Sequence, residues 1–116
     1  MISSKEQRRL KIKRRVRKKV KGTTEKPRLC VFRSNKEIYG QLIDDIQSKT
    51  LAAKSSLKMD DVSGPKKDQA FQVGKALAEV AVSNGIEEVI FDRNGYRYHG
   101  RVQRFAEGAR EGGLKF

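Results

Sequence analysis

The apolar positions of this chain change period at Pro27. Before it, Ile12, Val16 and Val20 recur every fourth residue with Leu10 nearby, the spacing of one helical side. After it the apolar runs shorten into β-type segments. Arg28 to Ser34 (RLCVFRS) predicts a strand, and its continuous apolar centre predicts burial on both faces. Ser34-Asn35-Lys36-Glu37 predicts a turn and Ile38 to Asp44 (IYGQLID) a second strand, so the two are expected as a hairpin. A turn over Asp45 to Lys49 and a third strand over Thr50 to Leu57 complete an antiparallel meander.

The period then lengthens again. Pro65 follows Ser63-Gly64 at a helix start, where its fixed φ is an advantage. Ala70, Val73, Leu77, Val80 and Ala81 make a helical stripe, and Gly85 supplies the stop. Glu88 to Phe91 predicts a short buried strand, so the strand, helix and strand form a crossover unit, expected to be right-handed. A loop over Asp92 to Gly100 leads to a last helix that turns Val102, Phe105, Ala106 and Ala109 inward and ends at Gly112-Gly113. The predicted fold is α/β: a single small domain over residues 26–116 with a mixed sheet and two packed helices. A partly helical arm over residues 1–25 precedes it.

Charge changes the meaning of the arm. Eleven of the first 21 residues are Lys or Arg against one acid, Glu6, so they carry ten of the thirteen net positive charges. The body that follows is nearly neutral. Adjacent like charges destabilise an isolated helix, so the arm is expected to order against a polyanion. Phosphate backbones are the commonest such partner. The candidate phosphate contacts are Lys5, Arg8, Arg9, Lys11, Lys13, Arg14, Arg15, Arg17, Lys18, Lys19 and Lys21, joined by Arg28 at the entry to the body. A localisation signal needs only five to eight residues, and a membrane anchor adds large apolar residues or a lipid site; neither pattern fits this run.

The rest of the composition mostly excludes. One cysteine, Cys30, leaves no internal disulfide, and with the single histidine, His99, it makes no metal-ligand cluster of the usual N and S donors. The apolar runs are too short for a membrane span. The pairs Asp44-Asp45 and Asp60-Asp61 fall at strand ends or in polar loops, where Asp is ordinary turn chemistry rather than a Mg²⁺ site. No phosphate-cradling glycine motif is present, and no nucleophile stands beside His99. Neither an enzyme nor a cofactor is indicated. A degenerate nuclease would need several clustered carboxylates to hold two metal ions.

Two further segments combine cations with groups that recognise bases. The turn Arg33-Ser34-Asn35-Lys36, with Tyr39 just after it, offers charge-assisted and neutral hydrogen bonds and a stacking ring. The loop Arg93-Asn94-Gly95-Tyr96-Arg97-Tyr98-His99-Gly100-Arg101 interleaves arginines with aromatic rings, a pattern suited to folded or single-stranded RNA. A polar hairpin turn and core tyrosines are the plainer readings of the same residues.

Lys26 to Asp45 (KPRLCVFRSNKEIYGQLIDD), the helix after Pro65 and Val89 to Phe116 (VIFDRNGYRYHGRVQRFAEGAREGGLKF) together resemble the family of bacterial large-subunit ribosomal protein eighteen. The resemblance covers nearly the whole chain. The loop reads Arg-Asn-Gly where Arg-Gly-Gly is as readily expected, and Asn tolerates the positive φ either needs. The resemblance implies a non-catalytic structural protein with a truncated ribonuclease H-like sandwich. It implies binding to 5S rRNA and to 23S rRNA in the central protuberance, beside neighbouring 5S-binding ribosomal proteins, on a cytoplasmic or plastid ribosome, with no membrane and no small-molecule substrate. The arm, the Arg33 to Lys36 turn with Tyr39, and the Arg93 to Arg101 loop are the segments it turns toward RNA. The competing class is a non-ribosomal RNA- or DNA-binding module that uses the same arm.

Overall fold

The structure, a computed structural model, describes residues 6–10, 23, 25–59 and 62–116. Residues 6–10 are helical. Strands β1 (Arg28–Arg33), β2 (Ile38–Asp44) and β3 (Lys49–Ser55) form the expected meander, followed by helix α1 (Lys66–Ser83), strand β4 (Ile90–Asp92) and helix α2 (Gly100–Glu111). The sheet order is β3-β2-β1-β4. β1 pairs antiparallel with β2 and parallel with β4, and β2 pairs antiparallel with β3. The mixed α/β sheet predicted from the sequence is the sheet observed.

The two helices cover one face of the sheet. On that side Leu29, Val31, Ile38 and Leu42 are fully buried, with Val73, Leu77, Val102 and Phe105 above them. Gly40 makes room on β2: a Cβ there would meet the Phe105 ring and the Leu77 side chain. The helices also touch each other backbone to backbone. A Cβ at Gly74 would overlap the Phe105 carbonyl, and one at Gly108 would overlap the Phe71 carbonyl. The absence of side chains at these two positions sets how closely α1 approaches α2. Val80, placed on the α1 stripe by its spacing, is only half-buried, while Gly74 and Ala78 take its place inside.

The opposite face departs from the sequence expectation. β1 is not buried on both sides: Cys30 is half-buried and Phe32 is 46% exposed. Paired with Gln41 and Tyr39 across the register, these residues form an open face. The apolar run was long enough for a two-sided strand, but α1 and α2 both lie on the same side of the sheet. The last strand also begins two residues later than predicted. Glu88 instead forms a parallel bridge with Lys115, and the Val89 N–H donates to the Lys115 carbonyl (3.1 Å), so the C-terminal residues continue the sheet edge.

Candidate nucleic-acid interface

The Arg33–Lys36 turn and the Arg93–Arg101 loop meet at one end of the sheet, and the contacts that join them are specific. Arg93 to Tyr96 is a turn in which Asn94 (φ 57°) and Gly95 (φ 77°) both take positive φ and the Tyr96 N–H donates to the Arg93 carbonyl (3.0 Å). Two positive φ values at the centre are the demand of a type I′ turn, which Asn-Gly meets best. The turn aims Tyr96 at the end of β1, where its hydroxyl donates to the Arg33 carbonyl (3.2 Å) and accepts from the Arg33 N–H (3.4 Å). From the first turn of α2, the Arg101 guanidinium donates to the Ser34 carbonyl (2.7 Å) and the Glu37 carbonyl (2.8 Å). A second helix joins them, because the Lys66 ammonium donates to the Asn35 carbonyl and Lys67 lies beside Gly100. Spacing alone did not single out Lys66 and Lys67; their place at the start of α1 was the available signal.

The arm reaches the same end. Arg9 Nη1 donates to the Asn94 carbonyl (3.4 Å), and its guanidinium lies 4.6 Å from the Tyr96 ring centroid, with that of Arg33 at 5.2 Å. Arg8 is exposed; Lys5 and the arm cations from Lys11 to Lys21 lie outside the described residues. Burial, and then the nearby charge of Arg33, depress the pKa of Arg101, so an anion placed here would favour its charged form.

Exposure sorts the remaining candidates. Arg33, Ser34, Asn35, Lys36, Arg97 and His99 are exposed, Tyr39 and Arg93 half-buried. Tyr98 is exposed but leans on the protein: its ring packs edge-on to Phe91 and its hydroxyl accepts from Arg110 Nη1 (3.2 Å). Arg28 is corrected. Only 2% exposed, its guanidinium donates to Asp92 (2.7 Å) and Asp45 (3.0 and 3.2 Å), so it holds the fold and is closed to RNA. Asn94 is corrected in part, since its side chain is buried and its backbone makes the turn. Asp44 does turn chemistry, accepting from the Ile46 (3.0 Å) and Gln47 (3.2 Å) N–H groups. Asp60 and Asp61 lie outside the described residues. Among the described residues no three His, Cys, Asp or Glu side chains group as a metal site.

The Tyr96 hydroxyl is the clearest test of how the loop is held. Tyr96→Phe is expected to lower stability by about 0.5–1.5 kcal/mol, the net worth of an ordinary hydrogen bond. A urea midpoint unmoved by the substitution would show that the hydroxyl does not fasten the loop.

The comparisons with known proteins extend over nearly the whole chain. The family described as ribosomal L18 of archaea, bacteria, mitochondria and chloroplast matches residues 3–116. The large ribosomal subunit protein uL18 of Porphyromonas gingivalis strain W83 is 60% identical over 113 residues, 97% of this chain and 98% of the relative. That of Chloroherpeton thalassium is 61% identical over 112 residues, 94% of this chain and 93% of the relative. That of Lactococcus lactis subsp. cremoris is 57% identical over 118 residues and spans both chains completely. The match runs through the arm, the hairpin turn and the Arg/Tyr loop alike, and the chain belongs to the ribosomal L18 family.

Proposed function

We propose that this protein is a structural constituent of the large ribosomal subunit that binds 5S rRNA and helps attach it to 23S rRNA in the central protuberance, beside the other 5S-binding proteins. Family membership supports the ribosomal assignment. The observation that carries the RNA reading is the joining of the Arg33–Lys36 turn to the Arg93–Arg101 loop at one end of the sheet, through Tyr96 and Arg101. Held on a rigid sheet, the exposed Arg33, Lys36 and Arg97 make a fixed pattern of positive charge. Fixed charge and aromatic rings select a folded RNA by shape.

The division of labour follows from rigidity. The arm (residues 1–25) tracks phosphates and contributes affinity that carries little sequence information; the domain (residues 26–116) selects the target. Nothing in this scheme requires bond chemistry, and the protein acts as a binding component rather than an enzyme. Competition decides between this and a general nucleic-acid module. Labelled 5S rRNA bound to the full chain is challenged with unlabelled 5S rRNA, tRNA and duplex DNA at several salt concentrations. 5S rRNA is expected to displace the label at far lower concentration than either competitor, and the preference should persist as salt rises. Equal displacement by all three would leave only a general polyanion binder.

A further inference from the structure

We propose that the open face of the sheet beside Asn94 receives one unstacked RNA base bearing an exocyclic amino group. The inference rests on the RNA-binding reading above and names what that RNA presents. A groove of about 450 Å³ lies on this face, bordered by Phe32, Tyr39, Ser34, Gln41 and Asn94. Its size falls within the roughly 300–1,000 Å³ of small-ligand clefts.

Two independent observations point to a base. The first is the state of the aromatic rings. Tyr96 has guanidinium groups 4.6 and 5.2 Å from its ring centroid, and Tyr98 packs edge-on to Phe91. Phe32 is 46% exposed on a sheet face and is braced by two rings: Tyr39, whose centroid is 5.9 Å away at an interplanar angle of 50°, and Tyr96, edge-on at 6.5 Å. A large ring left open on a β-sheet and braced by other rings is a stacking platform for a base. Tyr98 is also exposed, at 40%, but Phe32 is the more open ring and the one that borders the groove, so it is the stacking surface.

The second observation is an acceptor without a donor. Asn94 is 4% exposed, and its Oδ1 is buried with no hydrogen-bond partner among the described residues. A buried acceptor of this kind is a standing cost that an incoming N–H relieves. The amino groups of adenine, cytosine and guanine supply one. Uracil has no exocyclic amino group, and its one base donor, N3–H, is recessed between two carbonyl oxygens. Charge completes the match, since Arg9 and Arg33 beside Tyr96 hold positive charge where the sugar-phosphate chain of an extruded base would pass.

The test uses the full chain and five-nucleotide RNAs of A, C or U, followed by fluorescence anisotropy at one fixed salt concentration. The wild type is expected to bind the A or C oligomer about fivefold more tightly than the U oligomer, a factor in keeping with one hydrogen bond. Asn94→Gly keeps the positive φ and removes the amide, and it should abolish that preference. Phe32→Leu should weaken the A and C oligomers by about five- to a hundredfold, the range for loss of one stacked base. Equal binding of the three oligomers by the wild type, or a preference that survives Asn94→Gly, would overturn the proposal. Should Asn94→Gly fail to fold, Phe32→Leu decides, because its site is exposed and outside the core. A 5S preference over tRNA with no preference among oligomers removes this groove alone; loss of the 5S preference removes the functional reading.

Discussion

Asp92→Ala is expected to cost about 3–5 kcal/mol of stability, the usual penalty for removing one partner of a buried ion pair. Asp92 is fully buried and Arg28 is 2% exposed, with 2.7 Å between Nη1 and Oδ2. Without Asp92, Arg28 keeps its bonds to Asp45, whose side chain is 22% exposed at the rim. The same substitution removes a second contact, because Asp92 Oδ1 accepts the Asn94 N–H (2.9 Å) and so helps form the turn that aims Tyr96. Small domains have about 5–15 kcal/mol of net stability, so the variant should stand near its unfolding threshold at ambient temperature. The urea midpoint reads the loss directly, and a change below about 1 kcal/mol would mean that the pair is largely hydrated.

The sign of the pH dependence follows from Arg28. Burial pushes its pKa down, but the hydrogen bonds to Asp45 and Asp92 outweigh burial and leave it raised. A cation whose folded pKa lies above its unfolded value contributes its full stability below the unfolded value, and loses it only as pH rises through the folded one. For an arginine both values lie in strong alkali, so the guanidinium side of the pair should be insensitive to pH across the neutral range.

Removing residues 1–22 is expected to change RNA binding more than any point substitution, while leaving the sheet and its helices folded. If the arm neutralises roughly six phosphates, the slope of log K against log salt should fall by about 4 to 5 units. The truncated chain should show the same preference for 5S rRNA over tRNA as the one proposed for the full chain, since the turn and loop remain. Arg9 would leave Tyr96, whose hydroxyl still binds Arg33, so the loop should hold its place. A salt slope unchanged by the truncation would show that the arm's charge is not spent on phosphates.

Much of this was legible from periodicity. The second strand was read at its observed limits, and Val102, Phe105, Ala106 and Ala109 are the buried side of α2. Spacing records which residues share a face, and that was enough for the elements. It does not record what lies across that face. RLCVF reads the same whether helices cover one side of the strand or both, so Phe32 passed as core when it is the exposed ring of the open face. Arg28 reads like any other arginine near a basic arm, and only the tertiary fold brings Asp92, 64 residues away, to its guanidinium. The site was legible as three separate segments. That Tyr96 and Arg101 fasten the loop to the hairpin, and that Lys66 arrives from a third element, are facts of long-range packing.

The meeting of Gly74 and Gly108 with the opposite helix has a bearing on how this molecule can vary. A larger residue in a core can often be accommodated by a smaller one opposite, because side chains can be exchanged. Here the opposing atoms are the Phe105 and Phe71 carbonyls, which belong to the main chain and are the same whatever residue occupies those positions. No second substitution at the contact can make space. An exposed cation such as Arg8 or Lys36 touches no such main-chain wall, but the seam between the helices has no compensating path. A lineage that lost either glycine would have to move a helix to recover.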